Sequence, residues 1–392
     1  MPERVYLDNA ATTPLDPRVA QAMRPWLGER FGNASSWHWA GRQANEAVEH
    51  ARRQVAHLLH AAPGEIVFTA SGTEADNMAL VGTAETLGER GCHIVTSAIE
   101  HPAILETCRY LRRRGVETTY LPVGADGIVD PAALVGALRP NTRLVSIMAA
   151  NNVVGTLQPI TELGRIAHEH GALFHTDAVQ AAGKLPLDAQ AQPLDLLSLS
   201  AHKLHGPQGV GALYVRKGVR LEPLVHGGGQ EGGLRSATHN VAGIVGLGKA
   251  AEIARAEMSG EAARLVNLRD RIIEAVTVLI PNAYLIGHRF QRLPGHICLG
   301  FAGQEGEAIR LLLALDEAKI AVSTGSACSA HHAGEPSYVL LAMGFDPVRA
   351  RGSLRVTLGR FTTEAEVERL LQVLPQAVAA LRPAMTRVPV PA

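Results

Sequence analysis

Leu197-Ser-Leu-Ser-Ala-His-Lys203-Leu-His-Gly-Pro-Gln-Gly-Val-Gly-Ala-Leu-Tyr-Val215 holds one lysine between two short apolar runs. Leu194 to Leu199 reads as a buried strand, and Val210 to Val215 reads as the next one. Small residues, two histidines and Gly206-Pro207 separate them, so Lys203 falls on a tight connection at a strand end. A lysine held between buried strands is costly to desolvate, and its pKa tends to fall. That suits an amine meant for Schiff-base formation with a carbonyl. A surface lysine on an ordinary loop is the alternative.

The segment Gly171-Ala-Leu-Phe-His-Thr-Asp177-Ala-Val-Gln180 decides between them. It is a strand ending on a carboxylate, with Gln180 close behind. Pyridoxal chemistry needs an anion beside the pyridine nitrogen, because a protonated ring is the better electron sink. An acid at one strand's end and a lysine 26 residues later, after another strand, is the order such a site requires.

The chain has 392 residues, 46% hydrophobic and 19% charged, enough for one large and one smaller globular domain. Lys+Arg and Asp+Glu are equal at 37 each, without a basic tract, so neither nucleic acid nor an anionic membrane is an expected partner. The N-terminus lacks an apolar signal core, and no apolar run approaches the length of a membrane span. Cys92, Cys108, Cys298 and Cys328 are scattered, which argues against a disulfide framework or zinc ribbon. The expectation is a soluble, cytoplasmic protein.

Working outward from Lys203, strand and helix alternate from Ile66–Thr69 to Val210–Val215. This predicts an α/β fold with a mostly parallel sheet covered by helices and ligands at the strands' carboxyl ends. Glu100-His101, Asn151-Asn152, Asp177 and Lys203 each follow an apolar strand. Ser71-Gly72-Thr73-Glu74 leads from a strand into a helix and suits a phosphate, although Ser71 and Glu74 also have the spacing of an ordinary capping box. Ala44, Ala47, Val48, Ala51, Val55, Leu58 and Leu59 make one apolar helix face. A long helical stretch from Val241 contains the expected domain boundary near Met258. Strands at His296–Phe301 and Leu354–Leu358, with helices at Glu305–Leu315 and Glu364–Leu381, suggest a smaller α+β domain. Pro375 is expected to kink or divide that last helix. The domains are therefore 14–258, the large one, and 1–13 with 259–392, the small one bearing the Cys328 loop.

Cys328 lies in Ser323-Thr-Gly-Ser-Ala-Cys-Ser-Ala-His-His-Ala-Gly-Glu335, a small, polar stretch without a core pattern. His331 and His332 are near enough in sequence to favour a thiolate. A metal site there lacks the usual spacing and a fourth ligand, so no metal is expected. Arg355 alternates with Leu354, Val356 and Leu358, so it is either a solvated surface arginine or a planar fork for a carboxylate.

With these residues together, the chain resembles the cysteine desulfurases, fold type I pyridoxal-phosphate enzymes of the class V aminotransferase group. The motifs are Ser200-Ala-His-Lys203, Thr176-Asp-Ala-Val-Gln180, Gly325-Ser-Ala-Cys328 and Glu335-Pro-Ser-Tyr338, and the likeness runs from Tyr6 to Thr362. The resemblance implies that Lys203 bears pyridoxal 5'-phosphate and Asp177 pairs with its ring nitrogen. Gln180 and Asn152 would contact the ring oxygen or substrate, and His101 would stack on the ring and serve in proton transfer. Gly72, Thr73, Ser200 and His202 would bind the phosphate, with Thr238 supplied by the second subunit of a homodimer. Arg355 would hold the carboxylate of L-cysteine. Cys328 would take its sulfur as a persulfide, leaving L-alanine, and pass it to an acceptor protein of iron–sulfur cluster assembly, tRNA thiolation or another pathway. Within the same fold, a selenocysteine lyase or an aminotransferase is the alternative; outside enzymes, a sulfur-transfer scaffold is. Val153 stands where the family commonly has glutamate, Gly232 where it has a basic residue, and His331-His332 is not part of the family pattern.

Overall fold

The strand before the lysine, Leu196–Ser200, is buried at all five positions, and its Leu-Leu-Ser-Leu-Ser run is what a central strand covered on both faces requires. The computed structural model describes residues 4–86, 88, 91–325 and 335–381. In it this strand is the third of a seven-stranded sheet, ordered Ile66–Thr69, Gly211–Val215, Leu196–Ser200, Leu173–Asp177, Thr142–Ser146, His93–Ser97, Glu117–Leu121. Five neighbouring strands run parallel, as expected. Gly211–Val215 alone is reversed, antiparallel to both its neighbours. The connection from Ser200 to Gly211 is too short for a crossover helix, so the chain can only turn back. That reversal leaves Lys203 at the carboxyl edge of the sheet.

Helices cover both faces. On one, Val55, Ile147, Phe174, Leu199 and Leu247 pack in a single core; on the other, Met78, Leu80, Ile94, Ile104, Leu144 and Leu213 do. The second sheet is antiparallel, ordered Ser323–Thr324, Ser353–Thr357, His296–Phe301, Ala283–Leu285. It has its own core of Leu268, Ile272, Leu299, Val356, Val367 and Leu370. Val5 and Leu7 join that second core, and Val5–Tyr6 pairs with Ile320–Ala321. The N-terminal segment thus starts in the second sheet's territory and then crosses to the lysine turn.

The helix Val241–Leu279 has 39 residues, about 58 Å of rise, and passes unbroken through Met258-Ser-Gly260. Ile244, Leu247 and Ile253 belong to the first core, and Leu265, Leu268, Ile272 and Val276 to the second. Glu364–Leu381 likewise continues through Pro375, so the proline does not divide it. Proline removes one internal hydrogen bond, whereas Val367, Leu370, Leu374, Val378 and Leu381 remain buried along one stripe. Among the described residues no helix is long and apolar enough to cross a membrane.

Candidate active site

Lys203 ends a single tight turn, Ala201–Lys203, that follows Ser200 directly. The turn closes through Gly206 N–H donating to Ala201 O at 2.9 Å. A Cβ on Gly206 would lie 2.8 Å from that same oxygen, so the turn needs glycine there. The crossing N-terminal segment clamps it: Thr13 donates its N–H and its hydroxyl to His202 O, both at 2.9 Å, and its Oγ1 accepts from His205 N–H at 2.8 Å. Lys203 Nζ donates to Ala10 O at 2.5 Å and Ala11 O at 2.6 Å. The amine is half-buried, not a surface lysine on an open loop.

Around it opens a cavity of about 580 Å3, large enough for a ligand the size of a nucleotide fragment. Its wall includes Gly72, Thr73, His101, Asn152, Asp177, Gln180, Ser200, His202, Lys203 and Arg355, so strands and helices far apart in sequence converge here. Asp177 ends its strand, and Val179 N–H donates to its Oδ1 at 2.9 Å. Burial raises the Asp177 pKa, opposed by His101, the Val179 N–H and Lys203. His101 caps the helix Pro102–Arg113, its Nδ1 accepting from Ala103 N–H at 3.1 Å. Its proton therefore sits on Nε2 when the ring is neutral, and burial lowers its pKa and favours that form. His202 is held down to about 4, by burial first and then by Lys203 and Lys184, with Thr12 Oγ1 3.1 Å from its Nδ1.

Gly72 and Thr73 open a helix that runs to Thr86, so its positive end faces the cavity. The capping spacing is realised as well: Ser71 Oγ accepts from Glu74 N–H at 3.1 Å, and Glu74 reaches back to Ala70 N–H at 3.0 Å. The capped helix start still borders the cavity. A Cβ on Gly72 would meet Val179 at 2.6 Å, so the close approach of helix and strand requires glycine.

Arg355 is 1% exposed and not a solvated surface residue. It donates to Asn152 O and to Asp8 Oδ1, each at 2.9 Å. Its Nε, also buried, has no partner among the described residues. A planar guanidinium at a cavity wall suits a carboxylate.

Two expected site residues are not among those lining the cavity. Thr238 is exposed and does not line this cavity. Cys328, with His331 and His332, is outside the described residues; Ser323, five positions before it, lines the cavity beside Arg355.

Three further groups lie near the site: Glu100 stands among the strand-end residues of the sequence, whereas Asp76 and Lys184 are absent from its candidates. Asp76 is 1% exposed and lines the cavity, its pKa raised well above the usual range by burial and then by Asp177. Glu100 is fully buried and pushed up to about 8 by burial, while Ser97 Oγ and Met148 N–H donate to it at 2.6 and 3.0 Å. Lys184 donates to Gln180 at 3.3 Å. An acidic residue in the second turn of a helix and a lysine in a Gly-Lys pair are too ordinary to stand out; the fold sets Asp76 beside Asp177, and Lys184 reaches Gln180 four positions away. Val153 is also explained. It is 1% exposed in an apolar cluster with Ile99, Cys298, Val339 and Leu340, where a carboxylate would be costly. Gly232 has φ 64°, a left-handed backbone that disfavours a longer side chain.

The family model for class-V aminotransferases matches residues 5–370. The chain belongs to the class-V aminotransferase family. Among its relatives, the cysteine desulfurase IscS of Dictyoglomus turgidum is 50% identical, over 97% of this chain and 96% of that protein. The cysteine desulfurase IscS of Methanosarcina thermophila is 49% identical, over 96% and 93%. Among solved structures, a NifS-like protein superposes with a TM-score of 0.90 at 41% identity, covering 96% of this chain and all of that one. SspA in complex with cysteine superposes with a TM-score of 0.80 at 37% identity, covering 92% and 100%. The expected fold and the resemblance to cysteine desulfurases both hold.

Class-V aminotransferases use pyridoxal 5'-phosphate, and the cavity of this family member has the donor set for each part of that molecule. An amine, Lys203, matches the aldehyde; a buried carboxylate, Asp177, matches a protonated ring nitrogen. The start of the Gly72–Thr86 helix, with the neighbouring Ser200 and His202, matches a phosphate.

Proposed function

We propose that this protein is a cysteine desulfurase. It converts L-cysteine to L-alanine while the Cys328 thiol becomes a persulfide, which then passes to an acceptor protein. The step balances: the substrate's carbon–sulfur bond breaks, a sulfur–sulfur bond forms, and the thiol protons end on alanine and the persulfide. The observation that carries this reading is the convergence of Lys203, Asp177 and Arg355 on one cavity in a chain whose relatives over nearly its full length are named cysteine desulfurases.

Bound pyridoxal 5'-phosphate would supply an aldehyde that links to an amine and a ring that spreads the charge left by proton removal. Lys203 would hold the aldehyde carbon and, once displaced by substrate, present a free amine to the α-proton. Asp177 would keep the ring nitrogen protonated. His101, neutral with its proton on Nε2, would lie against the ring and move protons. Gly72, Thr73, Ser200 and His202 would hold the phosphate, Gln180 and Asn152 the ring oxygen or substrate, and Arg355 the substrate carboxylate.

Thr238 would complete the phosphate site of a second copy. A homodimer is supported by Phe31, Trp37 and Trp39, which are 67%, 93% and 61% exposed in a single chain. Such an apolar patch calls for cover. The loop before Thr238 is held by Glu231, which binds Arg52 at 2.7 Å and His239 at 2.7 Å. We assign residues 14–258 to the large domain and 1–13 with 259–392 to the small one, and a cytoplasmic location, in keeping with the free buried thiols Cys92, Cys108 and Cys298. The acceptor would belong to iron–sulfur assembly or tRNA thiolation. The test is turnover of purified protein on cysteine alone with a reductant: alanine and sulfide in equal amounts are expected, and release of neither overturns the reading.

A further inference from the structure

Gln180 also borders a second cavity of about 40 Å3, lined by Lys184, Lys203, His205 and Glu261 among others. Lys184 donates its ammonium to Gln180 Oε1 at 3.3 Å. At the other end of the same amide, Gln180 Nε2 donates to Ala10 O at 2.9 Å, the carbonyl that also receives Lys203 Nζ. The Gln180 side chain is 6% exposed and lines both cavities.

An amide has one accepting and one donating end, and the two are close to isosteric. A glutamine against a ring oxygen is useful only if its nitrogen faces that oxygen; turned over, it would set oxygen against oxygen. Ala10 O demands a donor, and the Lys184 ammonium, which has no lone pair, demands an acceptor. Together they fix the amide in one sense, with one N–H on Ala10 and the other available to the large cavity. Ala10 O is shared with Lys203, whereas the bond from Lys184 holds the accepting end of the amide separately.

We infer that Lys184 is a positioning residue that sets which end of the Gln180 amide faces the cofactor. Lys184 does not reach the ligand itself. Burial and the neighbouring Lys203 hold the Lys184 pKa down to about 7, and it is the ammonium form, which has no lone pair, that fixes the amide. The inference rests on the assignment of Gln180 to the cofactor's ring oxygen.

The experiment is a double-mutant cycle on the full chain stripped of cofactor, titrated with pyridoxal 5'-phosphate and followed by visible absorbance. Lys184→Met should weaken binding about five- to tenfold and move the absorbance maximum, the cost of losing one oriented hydrogen bond. Lys184→Arg, which keeps a donor, should return to within about twofold of wild type. In a Gln180→Ala background, Lys184→Met should add less than about twofold. Lys184 is half-buried and Met keeps its stem, so a thermal melt near that of wild type is expected for the variant. Equal losses in both backgrounds, or an unchanged affinity and spectrum for Lys184→Met, would overturn the inference while leaving the desulfurase reading intact. Should the variant melt early, failure of Lys184→Arg to match wild-type affinity and spectrum overturns it alone. A wild-type protein that acquires no chromophore would instead overturn the reading of the site itself.

Discussion

Arg355→Ala should raise KM for cysteine far more than it changes the cofactor's absorbance. The guanidinium is buried, with Nη1 on Asn152 O and Nη2 on Asp8, and its Nε free of partners among the described residues. A substrate carboxylate meeting that guanidinium would be desolvated, so truncation removes a charge-assisted hydrogen bond in a dry site. Such a loss costs about 2–5 kcal/mol, roughly 30- to several-thousand-fold in binding. Asp8 worsens it, since without the arginine its carboxylate faces the incoming one. Arg355→Lys, which keeps charge but not the planar fork, should fall between the two. Adding Asp8→Asn to Arg355→Ala should recover part of the loss by removing the repulsion. The assay is steady-state alanine release against cysteine concentration, run well below the variants' melting points, beside a spectrum of each holoenzyme. A KM within about twofold of wild type would refute the reasoning, and so would an Asp8→Asn change that recovers nothing.

Lys203→Ala should show no lysine-linked chromophore and no turnover; retained turnover would reject the assignment of that lysine. Cys328→Ala should keep the chromophore while alanine release falls by orders of magnitude. Wild type given cysteine without reductant should gain about 32 Da at Cys328, the mass of one sulfur in a persulfide cap; an unmodified Cys328 would count against the proposed step. Sedimentation should find a dimer, and Thr238→Ala should loosen cofactor binding without abolishing the dimer; an active monomer would refute the shared site. Glu100, buried with its pKa raised to about 8, binds a proton in the folded state that the unfolded chain releases above its ordinary value near 4.5. Its contribution is therefore present at low pH and lost as pH rises from about 5 through about 8. Glu100→Gln should remove that slope, so the variant's melting temperature should gain on wild type across this range. A constant difference would show that Glu100 does not titrate there.

Much of the molecule was legible in local pattern. The run Leu-Leu-Ser-Leu-Ser needs cover on both faces wherever it sits, and Gly206 and Gly72 stand where a side chain would collide. Alternating strands and helices imply a parallel sheet, and a parallel sheet gathers strand ends at one edge. For that reason Asp177, Lys203, His101 and Asn152 could be grouped before any coordinate was known. Pro375 does not divide its helix because the buried stripe around it acts over the whole length.

What only the tertiary structure decided depends on pairs far apart in the chain. Whether Arg355 faced water or the site was open from strand alternation, because a strand has two sides and either can be buried; the N-terminal segment, 347 residues away, brings Asp8 onto it and closes one side. Asp76 and Lys184 have unremarkable surroundings in sequence and unusual ones in space, and Glu100, visible at a strand end, becomes unusual only through burial. Burial, neighbouring charge and the sense of an amide arise between elements rather than within them. A sequence read along one dimension therefore reveals which groups are available, and the packing of sheet against sheet sets their charge and aim.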